Sequence, residues 1–205
     1  MKNMTKMSVR FGEGVLFFLR LQFYWILTSI SLGLITGIMP ATSAVYYYLF
    51  QSFQQKELYF PTFKEFRKKS KESFKGSNLL GGSQILVLLI LWIDLRVNAQ
   101  FIANPLLHGF LIACSALVLG VSTYLLPSFV RYKLQMKDYY KQAFYLFLSN
   151  LINTVAMVFG IFVVSVVFVL FPLLSLVATI PLLLLPIAWF SFKGMTKIEE
   201  NAKKV

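Results

Sequence analysis

One cysteine and one histidine are all that the 205 residues hold of two common metal ligands. Cys114 therefore closes no intrachain disulfide, and with His108 it makes neither a multi-cysteine nor a multi-histidine metal site. Charge is scarce too: Asp and Glu number 8, Lys and Arg 20, and together they form 14% of the chain. No Gly-rich phosphate loop, HExxH, Ser/His/Asp set or paired-carboxylate arrangement appears, so the expectation is a non-enzymatic protein with no cofactor and no metal. What fills the space is apolar length. Apolar residues make up 58%, above the roughly 45–50% of soluble domains. Residues 21–55, 97–130 and 142–192 carry no Asp, Glu, Lys or Arg. About 20 apolar residues cross a bilayer as a helix, so each stretch holds at least one crossing. A soluble globule, a disordered chain and a disulfide scaffold are excluded.

The segment 21–55 decides the count. As one straight helix it would be roughly 50 Å long against a hydrocarbon core of about 30 Å. It contains Gly33, Gly37 and Pro40, and proline stops or kinks a helix where glycine weakens it. The expected break is at residues 37–40, with Pro40 opening the second helix, where its missing N–H costs nothing. Six spans follow, near 15–36, 40–55, 77–97, 106–130, 143–170 and 173–192, or five if 40–55 is re-entrant. The start of the chain has the polarity of a signal sequence, with small residues at 42–44, but its apolar run is long and more spans follow, which favours an uncleaved anchor.

Basic residues check the count. They fall in four clusters: Lys2, Lys6, Arg10 and Arg20; Lys56, Lys64, Arg67, Lys68, Lys69, Lys71 and Lys75; Arg131, Lys133, Lys137 and Lys141; Lys193, Lys197, Lys203 and Lys204. With six crossings all four lie on one side and only Arg96 on the other. A single crossing by 21–55 would move the first cluster outside. Lys and Arg stay on the cytoplasmic side of spanning helices, so both termini are expected in the cytosol. That use of the basic residues also argues against nucleic acid as a partner.

Between the second and third spans, Thr62 followed three positions later by Glu65 fits a capping box. Phe63, Phe66, Ser70 and Phe74 then recur at helical spacing, with Lys64, Arg67, Lys68, Lys71 and Lys75 around the remaining circumference. Residues 61–75 are therefore expected as an amphipathic basic helix, lying in the headgroup layer with its rings in the bilayer and its cations on anionic lipid. The other reading is docking on a cytosolic partner such as a transporter ATPase. On the opposite side Asp94, Arg96, Asn98, Gln100, Asn104 and His108 form a polar loop. It reads either as a mouth for a sugar-like or zwitterionic solute, or as a helix end that is polar because it reaches water. No charge lies at a span centre, so a proton- or ion-coupled carrier lacks its usual parts. Asn150 and Asn153 are expected to tie helices together, and the pairs Gly33/Gly37, Gly109/Ala113 and Ala116/Gly120 mark packing seams within the chain or between two copies.

The turn pattern of Gly33, Gly37, Pro40, Ala41, Thr42 and Ala44, the run Tyr46, Tyr47 and Tyr48, and the Phe-rich basic segment PTFKEFRKKSKESFKGS resemble the YesL-like family of small bacterial membrane proteins, a domain of unknown function. The likeness is clearest over 12–82. It implies a multi-pass protein of the bacterial cytoplasmic (plasma) membrane. Because family members are often encoded near carbohydrate ABC-transporter genes, it also implies a link to carbohydrate uptake. It brings no catalytic residues. The chain has no EAA-type coupling motif, which argues against a permease subunit. The expectation is an all-α, six-helix membrane protein serving as an accessory or regulatory partner of a transport system, with transporter subunits and anionic headgroups as partners. The alternatives are a small solute transporter or channel opening at Asp94, Arg96, Asn98, Asn104 and His108, and a structural protein that organises lipid.

Overall fold

The computed structural model describes residues 2–202, and the side chains of 12–202. Lys203 and Lys204, and the side chains of Lys2, Lys6 and Arg10, lie outside that range. The described residues form helices and no strand: α1 (Lys2–Ser31), α2 (Leu34–Gln55), α3 (Phe63–Val97), α4 (Pro105–Arg131), α5 (Met136–Ser149), α6 (Leu151–Leu170) and α7 (Pro172–Ala202). A π-helical turn, Asn98–Ile102, extends α3.

The chain turns between α1 and α2 at Leu32 and Gly33, earlier than expected. Gly33 has φ 86°, a left-handed conformation that glycine adopts without strain. Gly37 packs where nothing larger fits, since a Cβ there would lie 2.2 Å from the Ser29 carbonyl oxygen. Pro40 does not open the helix; it sits inside α2 and is buried. An interior proline removes the N–H that would reach the carbonyl four residues back, here that of Thr36. Asn78 of α3 replaces it, donating Nδ2–H to the Thr36 carbonyl at 2.8 Å. The proline is tolerated because a neighbouring helix satisfies the group it orphans.

Helix α2 is the centre of the fold. It contacts α1, α3, α4 and α7, and Ala41, Ala44, Val45, Tyr48 and Leu49 are almost fully enclosed. Among the described residues, five helices are long and apolar enough to cross a membrane: Gly12–Ser31, Phe63–Ile102, Pro105–Arg131, Leu151–Leu170 and Pro172–Ala202. The expected crossing at 40–55 is not among them, because α2 spends Thr36, Thr42, Ser43, Gln51, Ser52, Gln54 and Gln55 where a lipid-facing helix would carry aliphatics.

Two other boundaries differ from the sequence pattern. The expected helix 143–170 is broken at Asn150, whose backbone (φ −131°, ψ 40°) separates α5 from α6. Its Nδ2 donates to the Leu146 carbonyl and its own carbonyl accepts from Tyr124 Oη and Thr154 Oγ1, so a polar side chain and its partners fill the break. Helix α7 is kinked at Ala178, three residues before Pro181. The Ile180 N–H at the kink donates to Gln22 Oε1 of α1 at 3.0 Å. Past residue 192, α7 continues to Ala202, carrying charge on a helix that apolar content alone would have ended.

Candidate functional site

The basic segment is one end of a long helix. Thr62 and Glu65 close the capping box in both directions: the Thr62 N–H donates to Glu65 Oε2 at 2.8 Å, and the Glu65 N–H to Thr62 Oγ1 at 3.4 Å. The Thr62 backbone N–H, and after it the Thr62 side chain, hold the Glu65 carboxyl below its ordinary pKa. From this cap α3 runs unbroken to Val97, about 52 Å at 1.5 Å per residue. A bilayer core uses roughly 20 of those residues, so the charged first part projects beyond it.

The Phe face of this segment meets protein, which corrects the expectation of rings lying in lipid. Phe66 is fully enclosed, stacked on Tyr48 with centroids 5.7 Å apart at 17°, and it meets Tyr24 at 5.9 Å. Tyr59 stacks on the same Tyr48 at 5.9 Å and 9°. Phe63 contacts Tyr24 at 5.4 Å, and Phe74 is half-buried. The rings tie α3 to α1 and α2. What remains outside is a stripe of exposed cations: Lys64, Arg67, Lys68, Lys71 and Lys75, at spacings that share one helical face. Lys69 points the other way, with Nζ 4.3 Å above the Tyr47 ring and 3.5 Å from Glu72 Oε2.

Charged ends of two further helices gather nearby. Arg131, at the end of α4, donates from Nε and Nη2 to the two oxygens of Glu199 of α7 at 2.7 and 2.6 Å, and its guanidinium lies 4.6 Å from the Phe192 ring. Tyr132 Oη donates to Glu199 at 2.9 Å; burial, then this carboxylate, pushes the phenol above its ordinary pKa. Phe192 in turn touches Phe50 and Phe53. The third basic cluster and the end of α7 are therefore clamped to the same end of α2 as the second cluster. Lys133, Lys137, Lys193 and Lys197 are exposed there.

The polar loop does not assemble as a mouth. Asn98 is 1% exposed and donates Nδ2–H to the Asn104 carbonyl at 3.0 Å, while its Oδ1 accepts the Asn104 N–H at 3.3 Å. Asn104 Oδ1 caps α4, accepting from the N–H groups of Leu106 and Leu107. The Asn98 amide and the Asn104 side-chain oxygen are thus engaged in closing the turn and capping α4, which is the ordinary work of such residues. Asp94 and Arg96 are exposed and do not pair with each other; Arg96 instead lies 5.3 Å from the Trp92 ring. His108 is half-buried and its Nδ1 has no partner. Larger clefts with mainly apolar walls lie elsewhere. One of about 590 Å³ lies between α6 and α7 at Gly160 and Trp189, and one of about 320 Å³ at Gln84, Val121 and Phe144.

The remaining motif residues also act within the fold. Thr42 Oγ1 accepts from Trp25 Nε1 at 3.1 Å, and Gly120 faces the Phe147 ring of α5 while Gly109 faces open space. Asn153 donates to Asn150 Oδ1 at 3.1 Å, and the pair lies against Gly194 of α7. Asn78 compensates Pro40, and no local pattern around it marks that role. The signal for it is an amide on one helix facing an interior proline of another.

Comparison with known proteins marks the first part of the chain. A family model described as "Protein of unknown function, DUF624" matches residues 18–95, the stretch holding the α1–α2 turn, the aromatic stack and the basic stripe. The chain is 24% identical over 184 residues to the uncharacterized protein YesL of Bacillus subtilis (strain 168), covering 90% of this chain and 87% of that one. It is 29% identical over 153 residues to the uncharacterized protein YteU of the same organism, covering 73% and 68%. No solved structure matches. By the matched motif region and the near-full-length similarity, the chain is similar to the YesL-like proteins of unknown function.

Proposed function

We propose that this protein is a non-enzymatic accessory or regulatory subunit of a carbohydrate uptake system of the ABC type, held in the bacterial cytoplasmic membrane, with α1 and α2 paired as a hairpin that returns the chain to the side it entered from, so that both termini lie in the cytosol. Its contact surface is the cation stripe of Lys64, Arg67, Lys68, Lys71 and Lys75. The observation that carries this reading is the division of labour on α3. The aromatic face is buried against Tyr24 and Tyr48, so the helix is held rigidly and offers outward only charge. A surface-lying lipid helix needs its rings for the bilayer; here they are committed to the fold. A rigid row of five like charges suits an acidic protein surface, because opposed potentials steer association and fix register.

Co-purification from native membranes tests it. Transporter subunits should come down with the wild-type chain and be lost when Lys64, Arg67, Lys68 and Lys71 are changed to Glu, with slower growth on the transported sugar. A chain that brings down no transporter subunit, in a deletion strain whose growth on sugars is unchanged, overturns the proposal.

A further inference from the structure

Between α2, α3 and α4 lies a small cavity of about 130 Å³, lined by Ser43, Lys69, Glu72, Ser73, Phe129 and Val130. It is lined by both signs of charge. The Lys69 ammonium stands 3.5 Å from the Glu72 carboxylate. Ser43 is 2% exposed and its hydroxyl has no hydrogen-bond partner. A buried hydroxyl left unpaired costs free energy, so a group missing from the protein itself is the natural partner. Ser73 Oγ already donates to the carbonyls of Lys69 and Ser70, which leaves its lone pairs as acceptors.

The cavity also sits at a telling depth. Phe129 and Val130 close the apolar run of α4 just before Arg131, and Lys69 and Glu72 belong to the charged part of α3 just before its apolar part begins. That is where the hydrocarbon gives way to headgroups. A simple anion would be drawn by Lys69 and repelled by Glu72. A group carrying both charges is drawn by each of them.

We propose that this cavity binds the phosphoethanolamine headgroup of a membrane lipid, its phosphate taken by Lys69 Nζ and the Ser43 hydroxyl, its ammonium by Glu72 and Ser73. The wall of Phe129 and Val130 leads the attached chains toward the bilayer. The site is separate from the cation stripe, and it stands whether or not that stripe meets a transporter.

The test is a thermal-stability titration of the purified full-length chain in detergent with short-chain phosphatidylethanolamine. Short-chain phosphatidylglycerol, short-chain phosphatidylcholine and free phosphoethanolamine are titrated in parallel. The expected result is a saturable rise in melting temperature with phosphatidylethanolamine. Phosphatidylcholine, whose trimethylated nitrogen offers Glu72 no N–H, should bind at least tenfold more weakly. Lys69→Gln and Ser43→Ala should each weaken binding about tenfold; Ser43→Ala removes a single unpaired oxygen and leaves the fold intact. Equal shifts from all three lipids, or shifts unchanged in both variants, would overturn the site. A response to free phosphoethanolamine as large as that to the lipid would overturn its assignment to the membrane.

Discussion

Replacing Phe66 by alanine separates a ring held in the protein from a ring held in lipid. Phe66 has no exposed surface and contacts Tyr48 and Tyr24 at 5.7 and 5.9 Å. It lies in the charged part of α3, beside Arg67 and Lys68, where the unfolded chain meets water and the aqueous scale for burial applies. A buried Phe→Ala change costs about 3–5 kcal/mol through lost transfer energy and the cavity left behind. In a chain of this size each kcal/mol moves the midpoint by about 2–4 °C, so the fall should be about 6–20 °C. Lys68→Ala, one helical step from the stack on the exposed side, should stay within about 0.5 kcal/mol of wild type. Thermal unfolding in mild detergent, followed by circular dichroism, reads both. Were Phe66→Ala to melt within about 2 °C of wild type while an isolated 61–75 peptide lost its affinity for vesicles, the ring would belong to the bilayer and the packing argument would fail.

Three further outcomes follow from particular bonds. Asn78→Leu leaves the Thr36 carbonyl without the donor that stands in for the missing Pro40 N–H; a loss of about 1–3 kcal/mol is expected, and Pro40→Ala in the same background should restore part of it. Glu199→Gln removes the charge that both Arg131 nitrogens face at 2.7 and 2.6 Å. Loss of one partner of a buried pair costs about 3–5 kcal/mol, and with Glu199 37% exposed about 2–3 is expected, read as faster proteolysis after Lys193 and Lys197. The α1–α2 turn lies beside the middle of α3, since Thr36 meets Asn78 and Met39 lies against Gly81. In a Cys114→Ser background, Ile35→Cys should thus resist a membrane-impermeant thiol reagent from outside, where Ala103→Cys reacts; equal labelling would contradict that depth.

The helical, membrane-type character was legible because uncharged length has few other solutions, and the cap at Thr62 because it is a local device. Pro40 misled because its penalty is cancelled by Asn78, 38 positions away in the chain, and no local rule sees such a partner. The spacing of Phe63, Phe66 and Phe74 identified a face correctly, but periodicity says only that a face is apolar; tyrosines of two other helices decide that it meets protein. Asn98 and Asn104 show the converse. Their types suit a solute site, and only the turn geometry reveals that the Asn98 side chain is bonded to the Asn104 backbone and the Asn104 side-chain oxygen to the start of α4. Asn150 looked like a bridge inside one helix and is the point where the helix breaks.

A photoactivatable crosslinker at Lys68, in the middle of the exposed stripe, tests the central claim most directly when irradiated in intact cells growing on the sugar concerned. The account predicts an adduct with a subunit of the carbohydrate uptake system, lost when the flanking Lys64 and Lys71 are reversed to Glu. Adducts with lipid alone, or an adduct pattern indifferent to those reversals, would contradict it.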